Sequence, residues 1–154
     1  MHTIAILVLG AFVGLFAALV MNIFMRTVAR KWGKRGDMVR ALGGFFGKEG
    51  QAAANLGTLI HGGAGLVFGA IYFAIIDAIG ALTLPYALFL GIGFGFLHGL
   101  FMSYALMFYA SERHPDEEYR KATMEEGVIH LLGHLLFGAI VGLLGGALGM
   151  AFGG

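Results

Sequence analysis

Histidine carries most of the chemistry available to this chain. His61, His98, His130 and His134 stand inside long apolar runs, whereas His2 and His114 lie outside them and are set aside. An ionisable side chain within hydrocarbon is costly and marks a functional site by default. Neutral imidazole is the commonest protein ligand for metals, and axial histidines from helices can hold haem iron. Haem b is therefore the favoured cofactor, with His98 and His134, or His61 and His130, as ligand pairs. Gly62, Gly63, Gly99 and Gly133 flank these histidines and are expected to make room for a flat macrocycle. Arg26 and Lys48 are the candidate partners for its propionates. Copper or zinc on His61, His130 and His134 is the alternative: His130 and His134, at i and i+4, share a helix face, and Glu126 continues the line. Met25, Met102 and Met107 are soft donors, although methionine in an apolar helix usually packs. The Glu-x-x-His pattern of di-iron bundles does not occur.

These residues must be positioned by four apolar segments. Residues 4–25, 56–76, 84–110 and 127–152 each reach the roughly 20 residues a membrane-spanning helix needs. The chain of 154 residues is 58% hydrophobic and 12% charged, where soluble domains average roughly 45–50% and about 25%. That balance excludes a water-soluble globule, a disordered chain and a nucleic-acid binder with a basic surface. With no cysteine, disulfides, thiolate metal sites and thiol catalysis are excluded too. No Ser/His/Asp constellation marks the chain as an enzyme by itself. The first apolar run has no basic n-region and is long for a signal peptide, so it is expected to stay as a span. The expected fold is an all-α membrane protein, one transmembrane domain over 1–154.

Orientation follows from the ten lysines and arginines. Seven, from Arg26 to Lys48, fall between the first two spans, and Arg113, Arg120 and Lys121 fall between the last two. Basic loops stay in the cytoplasm, which puts both termini outside and suits a bacterial inner membrane. Within the 26–55 segment, Met38, Val39, Leu42, Phe45 and Phe46 have the spacing of a short interfacial helix. The loop SERHPDEEYRKATMEEG, residues 111–127, reads as a solvated turn. At about 1.5 Å per residue, His61 and His130 lie about 5–6 Å inside the basic ends of their spans. By the same rise His134 lies about 10 Å deep and His98 roughly 14–18 Å. Asn22, Ser103 and Tyr104 are expected at similar depth, so four helices would converge on one site.

The spans also repeat. IHGGAGLVFGAI at 60–71 matches IHLLGHLLFGAI at 129–140, and Gly10, Gly14 and Asn22 of span one align with Gly91, Gly95 and Ser103 of span three. Two related hairpins imply a pseudo-two-fold axis along the membrane normal. The chain has 27 glycines, many in i+4 lines: Gly57, His61, Gly65 and Gly69; Gly91, Gly95 and Gly99; His130, His134, Gly138, Gly142 and Gly146. Small residues at this spacing let helix backbones approach where lipid offers no hydrophobic drive.

LIHGGAGLVFGAIYF, GFGFLHGLFMSY and HLLFGAIVGLLGG resemble an uncharacterised family of small four-helix bacterial membrane proteins. The resemblance implies one histidine in each of helices two, three and four followed by glycines: His61, His98 and His134, with Gly65, Gly69, Gly138 and Gly142. It covers the spans, not the loops, and leaves His130 outside the pattern. It brings a fold and a location but no activity. The expected function is a small membrane subunit with a His-ligated cofactor, passing electrons or supporting a larger redox complex. A cofactor-free scaffold or homo-oligomer held by interhelical histidine hydrogen bonds is the competing expectation. A pore or carrier is the third, disfavoured because no Asp or Glu stands in a span core.

Overall fold

The computed structural model describes residues 3–34, 37–121 and 123–152; His2 and Arg35 lie outside them. Four long helices dominate: α1 (Thr3–Lys31), α3 (Gly50–Ala78), α4 (Tyr86–Arg113) and α5 (Met124–Phe152), with a short α2 (Met38–Gly44) between the first two. Each long helix is long and apolar enough to cross a membrane. Helices of 28–29 residues are longer than a bilayer core of about 30 Å requires. Hydropathy marks only the apolar stretch. Residues 26–31 and 50–55, expected in the connecting segment, therefore continue α1 and α3, because Arg, Lys, Gln and Ala extend a helix readily.

The helix ends have local causes. Gly33 (φ 66°) and Gly80 (φ 69°) terminate α1 and α3 in left-handed conformation. Lys34 N–H reaches back to the Ala29 carbonyl and Ala81 N–H to that of Ile76, closing two Schellman-type caps. At the start of α5 the Glu126 carboxylate accepts from Thr123 N–H at 2.7 Å, half of a capping box. Glu126 is thereby a capping residue, and its expected place in a metal line is not observed.

Packing follows the glycines. α1 lies along α3, α4 along α5, and α1 also packs on α5, while α3 and α4 scarcely touch. A Cβ on Gly14 would strike the Gly65 carbonyl oxygen and one on Gly69 that of Gly10. Across the other pair, Gly95 is pressed against the His134 carbonyl oxygen and Gly138 against that of Gly91. Between these crossings sits the core, with Ala17, Met21, Met25, Phe73, Ile76 and Val141.

The charged end of the bundle is mostly exposed, and a few contacts tie it together. Asp37 caps α2 by accepting from Arg40 N–H and pairs with Arg26 of α1 at 3.1 Å. Lys34 reaches Glu125 at 3.5 Å. His114, set aside from sequence, is 1% exposed. Its Nδ1 accepts from Asp116 N–H at 3.0 Å, and its Nε2–H donates to the Ala41 carbonyl of α2 at 2.9 Å. Its ring lies between Phe45 (4.5 Å) and Tyr119 (4.7 Å). Burial raises the Tyr119 phenol above its ordinary range, against an opposing pull from Arg40. The 111–127 loop is largely exposed, as expected of a solvated turn, but through the buried His114 it also pins α2. His114→Ala removes the two hydrogen bonds of a buried ring, although the Ala41 carbonyl keeps the Phe45 N–H at 3.2 Å, and its expected cost is about 1–3 kcal/mol. Hydrogen exchange in residues 38–44 should accelerate; unchanged protection there would show that the pin is not needed.

Candidate functional site

The seam between α3 and α4 opens on a cavity of about 610 Å³ in the half of the bundle nearer the charged loops. All four histidines of the apolar stretches line it: His61 from α3, His98 from α4, and His130 and His134 from α5. The remaining walls are apolar. α1 contributes Met21 and Met25, α2 contributes Leu42 with Phe45 just after it, and Phe68 and Phe137 face in from α3 and α5. A concave, mostly apolar cavity of 300–1,000 Å³ with a few convergent polar groups is the usual form of a small-molecule site.

Three of the imidazoles form a row. His130 and His134 have ring centroids 4.7 Å apart, as the i, i+4 spacing dictates, and His134 meets His98 edge-to-face at 4.6 Å. His134 Nδ1–H donates to the His130 carbonyl of its own helix at 3.0 Å. His98 Nδ1 shares a hydrogen bond of 3.3 Å with the Tyr72 hydroxyl. The Nδ1 of His130 is buried with no partner, and His61 makes no hydrogen bond among the described residues. A buried polar atom without a partner calls for an explanation, and a bound group is one.

Several expectations change. Among the described residues, no group of three or more His, Asp or Glu side chains is arranged to hold a metal ion. The three-histidine copper or zinc centre on His61, His130 and His134 is not assembled. Asn22, Ser103 and Tyr104 do not line the cavity. Tyr104 is 64% exposed and stacks on Phe108, while Ser103 is buried against α5 with its hydroxyl unpartnered. Helical periodicity explains the failure: similar depth is not a shared face. Nor do Gly62, Gly63, Gly99 and Gly133 make room for a ring, since none of them lines the cavity. Gly99 accommodates His134, Gly133 accommodates Met25 and Met21, and Gly63 faces open space. Arg26 is engaged by Asp37, and Lys48 borders a separate depression beside Arg40 and His114. No Lys or Arg lines the histidine cavity.

Tyr72 is the main residue that sequence reasoning missed. It follows His61, Gly65 and Phe68 at the i+4, i+3, i+4 spacing of one helix face, a signal that was present but indistinguishable from core packing. The contribution of α2 had no signal, because a segment's distance from the chemistry cannot be read from its composition. Met25 and Met102 do line the cavity, whereas Met107 packs against Gly127. The four long apolar helices suit a small four-helix membrane protein, but no known protein family, no curated protein and no solved structure matches the chain.

Proposed function

We propose that the protein is a small integral membrane subunit that binds a His-ligated cofactor, haem b by preference, in the cavity between α3 and α4. One observation carries the reading: four histidines from three helices converge on one apolar cavity, and His130 Nδ1 there is buried and partnerless. Bound haem would supply one-electron transfer, within this subunit or a larger redox complex. The apolar walls suit a macrocycle. A ring held between two imidazoles needs about 2 Å from metal to each nitrogen, which separates the ring centroids by about 6 Å. His98 and His134, at 4.6 Å, leave no such slab. His61 and His130 are the ligand pair of this proposal, with His98 and His134 holding the wall beside them. With no cation in the cavity, the charged edge of a bound ring would belong at the corner nearest the charged loops, beside Phe45 and Tyr109.

The same proposal places the basic loops in the cytoplasm, in a bacterial inner membrane, because all ten lysines and arginines lie at one end of the spans. It also treats the bundle as two related hairpins. Gly10 and Gly14 meet Phe73, Gly69 and Gly65 in the register in which Gly91 and Gly95 meet Gly142, Gly138 and His134. The sequence offsets of 81 and 69 carry one set onto the other. His61 and His130 are equivalent under the second offset.

The histidine hydrogen bonds to Tyr72 and to the His130 carbonyl favour a second reading, a cofactor-free scaffold or homo-oligomer held by these contacts. A visible spectrum and metal analysis of the purified protein separate the two. The expected result is a Soret band with iron near one per chain. No chromophore and no iron after expression with haem supplied would overturn the cofactor reading.

A further inference from the structure

We infer that the histidine cavity takes up its ligand from the bilayer, through the seam between α3 and α4, and that this ligand is a flat lipophilic ring compound of porphyrin size. The inference rests on the cavity being a binding site, as proposed above, and adds the route and the ligand class.

The walls decide the route. At the back, α1 and α5 pack together, and Met21, Met25 and Phe137 close the cavity. Towards the middle of the bundle, aromatic rings fill the cleft. Phe68 lies over His98 at 4.0 Å, and Tyr72 meets Phe94 and Phe137 edge-to-face at 5.3 and 5.7 Å. At the charged end, α2 forms a floor. It cannot slide easily on α3, because Gly57 is pressed against the Val39 carbonyl and Gly43 against that of Ala53. Asp37 ties its start to Arg26 of α1, and His114 of the 111–127 loop holds it at the Ala41 carbonyl. What remains is the side on which α3 and α4 scarcely touch.

The backbone of α4 changes at this side. Leu106–Ala110 forms a π-helical turn, and Leu106, Tyr109 and Ala110 of that turn line the cavity. Such turns interrupt α-helices mostly at functional sites. Here the turn sets Tyr109 beside Phe45 of α2 at 5.6 Å, at the corner where seam meets floor. No Lys, Arg, Asp or Glu lines the cavity, so a small solute that would bury its charge finds no counterion inside, whereas a large ring can leave its charged edge at the corner near the charged loops. A flat apolar ring finds aromatic faces, methionines and imidazole hydrogen-bonding groups. Ala64 of α3 and Met102 of α4 are both exposed and both line the cavity, which places them at its mouth.

The test uses the full-length protein in vesicles, loaded from donor vesicles carrying either haem b or metal-free protoporphyrin IX. In Ala64→Trp and Met102→Trp, loading of both probes should slow about tenfold or more, while final occupancy changes less than about threefold, as for a blocked gate. His114→Ala, which loosens the floor, should leave loading unchanged. The chain has no cysteine, so Met102→Cys can be labelled at that one position with a bulky alkyl group after folding. Loading by the same preparation before and after labelling answers the question even if a tryptophan variant misfolds. Seam variants that load at the wild-type rate, with His114→Ala loading faster, would overturn the inference in favour of uptake from the aqueous side. If neither porphyrin binds the unaltered protein, this inference falls together with the cavity reading. If protoporphyrin loads through the seam but haem shows no histidine-ligated spectrum, uptake from the bilayer stands and only the ligation proposed above fails.

Discussion

Leucine in place of Gly138 is expected to abolish the folded bundle, whereas leucine in place of Gly93 should be tolerated. Both glycines lie in apolar spans, and composition alone does not distinguish them. A Cβ at Gly138 would fall on the Gly91 carbonyl oxygen and lie 3.0 Å from the Gly95 Cα, so the opposing groups are backbone and cannot rotate away. A Cβ at Gly93 meets nothing within 4 Å. Overpacking a core typically costs 1–3 kcal/mol, and a clash with rigid backbone belongs at about 3 kcal/mol or more. Helices in lipid are held by close packing rather than by a hydrophobic drive, so separating α4 from α5 removes much of what holds the bundle. It would also move His98 away from His134, which touch across that interface. Unfolding in denaturing detergent, followed by helical circular dichroism, provides the measurement. A Gly138→Leu protein with the wild-type midpoint would refute the proposed crossing.

The second large effect concerns the cavity. If haem b is held by His61 and His130, His61→Ala and His130→Ala should each weaken its binding by more than the roughly 10–100-fold loss typical of an outer supporting group. The combined variant should show no Soret band. His98→Ala and Tyr72→Phe change groups beside the ligands and should cost about tenfold, with the band retained but shifted. His114→Ala, which loosens the floor but removes no side chain that lines the cavity, should keep the wild-type spectrum. The contrast among these variants matters more than any single loss, because a merely destabilised bundle would lose the band in all of them. Equal loss at His114 and at His130 would reduce the effect to folding. Undiminished binding in the combined His61→Ala/His130→Ala variant would remove the assigned ligands.

How much of this was legible in the sequence depends on the range of the interaction that encodes it. The four apolar spans, the gathering of lysine and arginine at one end and the glycine lines are local or periodic features. They follow from the cost of polar groups in lipid and from the 3.6-residue turn. The short helix through Met38 and Val39 was legible for the same reason. Its position was not: it docks on α3 through Gly57 and Gly43 and floors the cavity, and those contacts join residues distant in sequence. His114 has the composition of a loop histidine, and only the fold places its Nε2 against the Ala41 carbonyl.

The candidate site divides in the same way. Sequence alone selected His61, His98, His130 and His134, because an imidazole in an apolar run is costly unless something satisfies it. Tertiary structure decided that all four share one cavity, that His98 and His134 touch, and that Asn22, Ser103 and Tyr104 lie elsewhere. Depth along a helix can be counted from residue number. The direction a side chain takes around the axis, relative to neighbouring helices, is set by which faces pack. Here the packed faces are the glycine lines of α1 with α3 and α4 with α5. By pulling each pair together, they leave α3 and α4 apart and the histidines facing the gap.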